Sequence, residues 1–288
     1  MKITNNKAIF QSAILPVFVI AGLIGNSGCT DKDETTTPAI ISIEDKGWGF
    51  STEPVWSDEF DNPGKPDGSK WTYETGGSGW GNQELQFYTK GENVSIADGI
   101  LTIEARKEDR SGSKYTSTRM ITRNTKDFLY GRFEARIKVN SVTGCWPAFW
   151  MLPTDNAYGV WPKSGEIDVL EQVGKDPFNV HISAHCEAYN GANGSPKTST
   201  KNLPTATTEF HVYRVDWTPY ALRGYVDGEK IFEYVNKNNG YATWPYNKKF
   251  FLLLNLAVGG TWGGPNVADA QFPAQMQVDY VRVFSLVN

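Results

Sequence analysis

The sequence predicts an all-β fold built as a sandwich. Short strand candidates recur along the chain and are separated by turn-favouring residues, while no long amphipathic helix pattern occurs. Many short strands at such spacing are typical of β-sandwiches, and 288 residues are enough for one large domain of this class. The clearest candidates cover residues 99–105, 131–139, 210–218, 223–226, 230–234 and 278–284, with a tight hairpin turn expected at 226–229.

The first 29 residues resemble the signal peptide of a bacterial lipoprotein. A weakly basic start precedes an apolar stretch at 13–24, which is too short to span a bilayer. Small residues then lead to Cys29, the expected lipidation site, although Asn26 stands where an apolar residue is usual. We expect an outer-membrane lipoprotein. Cleavage within 25–28, giving a secreted or periplasmic protein, is the alternative.

A polar segment follows the signal region. Residues 30–48 predict a linker between the lipid anchor and a single domain at 49–288. The acidic stretch at 31–34 is similar to the tract that follows the lipidated cysteine in some surface-exposed lipoproteins. These features favour a membrane attachment through the lipid alone.

The segment 165–171, which reads GEIDVLE, carries three carboxylates inside an apolar run. It favours a strand, on which Glu166 and Asp168 share one face while Glu171 points to the other. A β-bulge at Val169 or Leu170 would bring Glu171 back, because a bulge inserts one extra residue. The two glutamate carboxyls would then converge to roughly 5–6 Å, near the separation of a retaining glycosidase pair. A solvated face or a cation site is the alternative.

Two cysteines of the predicted domain are expected to be free thiols. A meander of segments 146–152, 166–171 and 180–186 would place the acidic strand between Cys145 and Cys186. Their Cα atoms would then be farther apart than the ~7 Å limit for a disulfide. We therefore expect two buried thiols, even in an oxidising compartment.

The tryptophans divide into two groups by their sequence context. Trp80, Trp161 and Trp262 lie in glycine-rich loops, where flat aromatic rings can stack on sugar faces. Trp146 and Trp150 share parity on one strand and can face the same surface as the acids. We expect four others in the core: Trp56, Trp71, Trp217 and Trp244.

Several function classes are disfavoured by the sequence. A net charge of -4 and a pI near 5.5 argue against nucleic acid and against a strongly anionic polysaccharide. Zinc-type Cys/His spacing, a phosphate-binding glycine loop and a G-x-S-x-G turn are all missing from the sequence. His185 follows the acidic strand and is placed either for substrate contact or for a structural role.

Taken together, these segments resemble glycoside hydrolase family 16, and especially its laminarinase-like endo-β-1,3(4)-glucanase branch. The acidic strand is similar to the family's bulged E-x-D-x-x-E motif. Segments 80–89, 146–152, 255–262 and 279–283 match the branch in the expected order. The resemblance covers nearly all of residues 50–285.

The resemblance implies a β-jelly-roll sandwich of two antiparallel sheets, with the concave sheet forming a substrate cleft. It implies retaining hydrolysis with Glu166 as nucleophile, Glu171 as acid/base and Asp168 as an assisting residue. No cofactor is expected for catalysis. The same match implies substrate contacts at Asn82, Arg119, Trp146, Trp150, Trp161, His185 and Trp262.

A structural calcium on the convex side is a further implication of the resemblance. Glu59 and Asp279 occupy the matching positions, and oxygen ligands suit calcium. Ordinary surface acids are the alternative.

The implied substrate is a β-1,3-glucan or a mixed-linkage β-1,3-1,4-glucan such as laminarin, lichenan or cereal β-glucan, cleaved by a monomer. An agarase- or porphyranase-like enzyme, a transglycosylase and a non-catalytic glycan-binding lipoprotein are the alternatives. Retention of all three acids argues against the binding protein. The segment 189–203 departs from the branch's usual pattern and is expected as a loop near the cleft edge.

Overall fold

The structure, a computed structural model, describes residues 43–287, and their regular secondary structure is almost entirely β-strand. A one-turn helix, α1 (Gly260–Gly263), and two 3-10 turns, Gly191–Asn193 and Asp269–Gln271, are its helical elements. In chain order the strands are β1 (Gly49–Phe50), β2 (Trp56–Asp58), β3 (Thr72–Glu74), β4 (Gln86–Tyr88), β5 (Val94–Ala97), β6 (Ile100–Ala105), β7 (Tyr115–Ser117), β8 (Arg119–Ile121), β9 (Gly131–Lys138), β10 (Cys145–Pro153), β11 (Glu166–Val173), β12 (Asp176–His185), β13 (Lys197–Asn202), β14 (His211–Trp217), β15 (Ala221–Val226), β16 (Glu229–Val235), β17 (Phe250–Val258), β18 (Ala274–Phe284) and β19 (Leu286–Val287).

Two large antiparallel sheets contain most of these strands. The cleft sheet has the order β13-β12-β11-β10-β17-β8-β3. The back sheet has the order β16-β15-β14-β9-β18-β6-β5, with β2 paired to β18. Outside them lie the pair β1 with β19 and the parallel pair β4 with β7. The chain crosses between the sheets, as from β8 to β9 and on to β10, so the predicted jelly-roll sandwich is confirmed.

The core lies between the inward faces of the two sheets. Along β9, the odd-numbered residues are buried and the even-numbered ones are half-buried, as expected for a strand with one face inward. β17 is buried throughout: one face lies in the core, and the other forms part of the floor of a surface cleft, which Asn255 and Ala257 line. A strand in that position reads as a continuous apolar run rather than an alternating one.

The tryptophans predicted for the core lie there or at its edge. Trp71, Trp217 and Trp244 are buried. Trp56 is half-buried and packs edge-on against Trp71, with ring centroids 5.5 Å apart. Aromatic contacts of this kind continue through the core, which favours a single packing arrangement.

The predicted meander is confirmed, because β10, β11 and β12 are consecutive antiparallel neighbours. Cys145 begins β10 and Cys186 follows the end of β12, so β11 separates them. Both are buried and free, as predicted.

The predicted hairpin at 226–229 is present, with Asp227 and Gly228 at positive φ between β15 and β16. The strand predicted at 99–105 needs a correction at its start. Asp98 and Gly99 also have positive φ and form a second two-residue turn, so β6 begins at Ile100.

The signal peptide, the lipidation at Cys29 and most of the linker at 30–48 lie outside the described residues. The last linker residues are described, and Asp45 pairs with Arg223 of β15 at 2.6 Å. Within 43–287, no helix has the length and apolar character needed to cross a membrane.

Candidate active site

The three acids lie on β11, and the strand carries the predicted bulge. In the pairing with β10, Val169 is the extra residue, because Asp168 and Leu170 face consecutive residues of that strand. In the pairing with β12, the partners of Glu166 and Glu171 are four residues apart. This even offset returns both glutamates to one face, with their partners about 13 Å apart at 3.3 Å per residue. The bulge is therefore confirmed at Val169.

An open cleft of about 810 Å³ covers this face of the cleft sheet. Its volume falls within the ~300–1,000 Å³ typical of ligand sites. All the predicted catalytic and substrate-contacting residues line it, although their individual roles stay predictions. They are Asn82, Arg119, Trp146, Trp150, Trp161, Glu166, Asp168, Glu171, His185 and Trp262.

Each of the two glutamates accepts one indole hydrogen bond. Nε1 of Trp161 donates to Oε2 of Glu166 at 3.0 Å. Nε1 of Trp146 donates to Oε1 of Glu171 at 3.1 Å. The two donors come from the loop at 154–165 and from β10, so separate walls of the cleft orient the two carboxyls. A carboxylate can accept about four hydrogen bonds, which leaves capacity for a substrate.

Asp168 lies between the glutamates in the chain and is only 1% exposed. Its Oδ2 stands 3.2 Å from Nε2 of His185 but outside hydrogen-bond geometry, so this atom has no hydrogen-bond partner. A buried carboxyl with so little compensation favours its protonated form. Burial therefore raises the pKa of Asp168 well above its ordinary value.

The pKa values of both glutamates are also raised. Burial, followed by the charge of neighbouring Asp168, raises the pKa of Glu166 to about 8. The same two causes raise the pKa of Glu171 to about 8. His185 and the indole N–H groups oppose these shifts by favouring the ionised carboxylates. The site therefore retains protons at neutral pH that ordinary carboxyl groups would have lost.

The orientation of His185 is fixed by the loop that follows β12. Its Nδ1 accepts a hydrogen bond from the backbone N–H of Gly191 at 3.1 Å. In the neutral ring the proton then lies on Nε2, which stands 3.7 Å from Oε1 of Glu166. His185 therefore points a donor into the acid cluster.

Glu166, Asp168 and His185 are also the one group of three candidate metal ligands found among residues 43–287. Their ligand atoms lie within 4.8 Å of one another. A proton on Nε2 of His185 leaves that nitrogen no lone pair for a metal. The arrangement thus suits proton transfer and hydrogen bonding better than metal binding.

Trp262 forms one wall of the cleft on helix α1. Its ring packs edge-on against Trp146 and against His181, with centroid distances of 5.4 Å and 4.9 Å. The preceding turn requires Gly259, which has φ +73, and a Cβ there would lie 2.5 Å from Leu85. His181 was not predicted as a site residue, although its alternation with His185 along β12 places it on the same face.

Arg119 lies between the aromatic rings of Trp80 and Trp150 in the part of the cleft formed by β8 and β10. Its guanidinium lies 5.0 Å from the ring centroid of Trp80 and 4.8 Å from that of Trp150. Its Nε also pairs with Glu74 at 2.6 Å. Because these contacts engage most of the side chain, Arg119 positions two tryptophans and is not a free cation.

A buried hydrogen-bond network behind this wall was missed by the sequence analysis. Glu84 accepts from Gln86 at 2.7 Å and from Asn82 and Tyr88 at 3.2 Å each. Tyr88 in turn accepts from Asn255, whose side-chain oxygen accepts the indole N–H of Trp150 at 2.7 Å. The sequence signal was available, since Glu84 and Asn255 lie inside two of the matching segments.

The segment 189–203 reaches the cleft with its first part and with Thr198. Gly191, Ala192 and Pro196 line the cleft edge as expected of the predicted loop. Residues 197–202, however, form the edge strand β13. This corrects the expectation of one continuous loop. The strand escaped notice because it is polar throughout.

The two acids proposed for calcium binding both engage arginines. Glu59 accepts hydrogen bonds from Nη2 of Arg282 at 2.7 Å and from Nε of the same side chain at 3.0 Å. Asp279 on β18 accepts a hydrogen bond from Nη1 of Arg136 at 2.6 Å. These contacts occupy oxygens that calcium would need, so the arrangement does not fit a shared calcium ion. The calcium site stays a prediction that a calcium-dependent melting temperature would check.

The fold and the cleft define a class of protein. A jelly roll whose open cleft pairs two glutamates of raised pKa and is walled by tryptophans is typical of enzymes that cleave polysaccharides. Residues 81–282 match the family model of glycosyl hydrolases family 16, and the chain belongs to that family.

Individual relatives agree with this assignment. A β-glucanase of Rhodothermus marinus is 47% identical over 246 residues, covering 82% of this chain and 86% of the relative. The solved structure of the laminarinase from Rhodothermus marinus has a TM-score of 0.81 at 46% identity, covering 84% of this chain and 99% of that chain. SCLam, a non-specific endo-β-1,3(4)-glucanase, has a TM-score of 0.77 at 39% identity, covering 84% and 92%.

Proposed function

We propose that this protein is an endo-acting, retaining glycosidase that cleaves β-1,3-glucans and mixed-linkage β-1,3-1,4-glucans. One observation supports this proposal above the others. The bulge at Val169 brings Glu166 and Glu171 to one face of an open cleft, with Asp168 between them. An open cleft accepts the interior of a chain, which favours endo cleavage.

The contacts support different roles for the two glutamates. Glu166 is the nucleophile, because it matches the first glutamate of the family's E-x-D-x-x-E motif and Nε2 of His185 lies 3.7 Å from its Oε1, where it favours the ionised form. Burial raises the pKa of Asp168, beside the nucleophile, well above its ordinary value and so favours its neutral form. Glu171 matches the second glutamate of that motif, and its raised pKa suits an acid that must hold a proton near neutral pH.

The reaction then proceeds in two displacements. A carboxylate oxygen of Glu166 forms a bond to the anomeric carbon while the glycosidic C–O bond breaks, and Glu171 gives its proton to the leaving oxygen. The product of this step is a glycosyl ester on Glu166. Glu171, now ionised, takes a proton from a water that attacks the same carbon and releases Glu166. Two inversions leave the anomeric configuration unchanged.

The charge of the cleft supports a neutral glucan as substrate. Among the described cleft-lining residues, Arg119 is the single Lys or Arg, and Glu74 already pairs with it. A sulfated galactan would bury anionic groups beside three acids without a free cation to compensate. The aromatic walls instead suit the apolar faces of glucosyl rings.

Product analysis on laminarin, barley mixed-linkage glucan and agarose tests this proposal, with Glu166→Gln as the control. Short oligosaccharides from either glucan, absent with the variant, are the expected result. Absence of products from both glucans would overturn the proposal. The alternatives would then be a hydrolase of agarose-type galactans and a non-catalytic glycan-binding protein. Products longer than the substrate would identify transglycosylation.

We also propose that the protein is a monomer tethered to the outer membrane through a lipid on Cys29. The apolar stretch at 13–24 followed by small residues supports this location. Cys29→Ala should move the protein from the membrane fraction to the soluble fraction. Continued membrane association of the variant would contradict the anchor.

A further inference from the structure

A second cavity adjoins the cleft at one side. Its volume is about 230 Å³, and it shares Leu152 and Trp161 with the cleft. We call this cavity the annex. Its other lining residues are Glu74, Arg123, Pro153, Asn156, Ser164, Gly165 and Phe251.

The annex lies beside the cleft and not along it. The cleft crosses the strands, from Arg119 on β8 to Thr198 on β13. The annex instead gathers at strand ends, where Leu152 near the end of β10 pairs with Phe251 near the start of β17. A glucan chain that follows the cleft therefore passes the mouth of the annex, and only a side substituent would enter it.

The lining of the annex has the chemistry of a sugar site. Leu152 and Phe251 belong to a small apolar cluster on this face of the sheet, which provides an apolar floor. The guanidinium of Arg123 lies 5.4 Å from the ring centroid of Phe251 and donates to the backbone oxygen of Thr154 at 3.3 Å. Arg123 and Asn156 remain exposed, so their N–H groups can reach hydroxyls.

The size and position of the annex limit what it can hold. Its volume is below the ~300–1,000 Å³ of pockets that take whole ligands, so a single sugar ring is the expected occupant. Trp161 forms its wall, is 44% exposed, and donates its indole N–H to Glu166. The annex therefore begins one side chain away from the proposed nucleophile.

We propose that the annex binds a single glucosyl branch carried by the glucan chain near the cleaved bond. The inference depends on the proposed function, because the branch must belong to a chain already lying in the cleft. The enzyme would consequently cleave close to branch points that a cleft without an annex would reject.

The test compares a linear β-1,3-glucan with a β-1,3-glucan carrying single β-1,6-linked glucosyl branches. Two variants act on the annex alone: Arg123→Ala removes its exposed cation, and Asn156→Trp fills its space. Arg110→Ala is the matched control, because Arg110 is also exposed, also lies over an aromatic ring (Phe87, 5.8 Å) and lines neither cavity. The readout is the ratio of kcat/KM on the branched glucan to that on the linear glucan.

We expect wild type to cleave both glucans and to release branched oligosaccharides. Each annex variant should lower the branched-to-linear ratio at least about threefold, as loss of a charged hydrogen bond or of space requires. Arg110→Ala should leave the ratio unchanged. Binding of branched and linear oligosaccharides to Glu166→Gln, with and without Asn156→Trp, should show the same preference.

The outcomes separate the two proposals. An unchanged ratio in both annex variants, or equal losses on both glucans, would overturn the branch site and leave the proposed function standing. Failure of wild type to cut the branched glucan while cutting the linear one would overturn it as well. Inactivity on both glucans would overturn the proposed function and the annex together.

Discussion

Glu84 and the three acids of β11 lie on the walls of one cleft, and they differ in their hydrogen-bond partners. Glu84 accepts three side-chain hydrogen bonds, and burial still raises its pKa. On β11, Glu166 and Glu171 accept one indole hydrogen bond each, and Oδ2 of Asp168 accepts none. Burial alone therefore does not distinguish a structural carboxyl from a reactive one.

This difference in hydrogen bonding separates the carboxyl that stabilises the fold from the carboxyls that are available for reaction. A satisfied buried carboxyl stabilises the fold because its partners replace water. A poorly satisfied one costs folding free energy and keeps its acceptor capacity for the substrate. Removing charge from the β11 acids should thus cost activity, whereas removing Glu84 should cost stability.

The largest effect is expected for Glu166→Gln. The amide cannot form the glycosyl ester, so kcat on laminarin should fall at least about 10⁴-fold. The melting temperature should stay the same or rise, because an unfavourably buried acid is removed. Enzyme assays and calorimetry on the same preparation check both parts, and a variant that unfolds would contradict the comparison.

A somewhat smaller loss is expected for Glu171→Gln. Glucan cleavage should fall about 10²–10⁴-fold, the usual contribution of a general acid. An aryl glucoside with a good leaving group needs little protonation, so bond cleavage in that substrate should be much less affected. A burst of the aryl leaving group separates these steps, and equal losses on both substrates would rule out the acid role.

Glu84→Ala should lower stability and leave activity nearly unchanged, the opposite of what is expected for Glu166→Gln. Its hydrogen-bonded partners Gln86 and Tyr88 are fully buried and would lose their acceptor, which costs about 1–3 kcal/mol. The melting temperature should fall by roughly 2–4 °C per kcal/mol for a domain of this size. The folded variant should keep kcat within a few-fold of wild type. Glu92→Ala, which removes an exposed ion-paired glutamate, is the control and should change neither quantity.

The smallest effect concerns the pH dependence of stability. Because the folded-state pKa of Glu166 is raised to about 8, the folded protein binds more protons than the unfolded chain above the ordinary value of 4.5. Stability is therefore lost as pH rises from about 4.5 towards 8. The melting temperature of Glu166→Gln should exceed that of wild type more at about pH 8 than at about pH 5. A gap that shrinks with rising pH would contradict the raised pKa.

The sequence was sufficient for features that depend on local order. The parity conflict between Glu166 and Glu171 required a bulge, and the structure has it at Val169. The hairpin at 226–229 followed from its turn residues, and the free cysteines followed from the order of three strands. In each case the relevant residues lie close together along the chain.

Contacts between distant segments were not predictable in this way. The hydrogen bond from Asn255 to Tyr88 spans 167 residues and depends on how β4, which ends at Tyr88, lies against β17. Arg119 gave no sign in the sequence of its position between Trp80 and Trp150. The annex was equally invisible, because its walls come from five separate segments that meet only at the strand ends.

The tautomer of His185 makes the cleft observable by a spectroscopic route. The chain has three histidines, and two of them, His181 and His185, line the cleft. The third, His211, pairs with Asp227 on the back sheet. Selective nitrogen-15 labelling of histidine would therefore give three ring systems, and the Nδ1 shift of His185 would report whether Gly191 still donates to it. Movement of the cleft-edge loop during glucan binding could thus be followed in solution without any introduced probe.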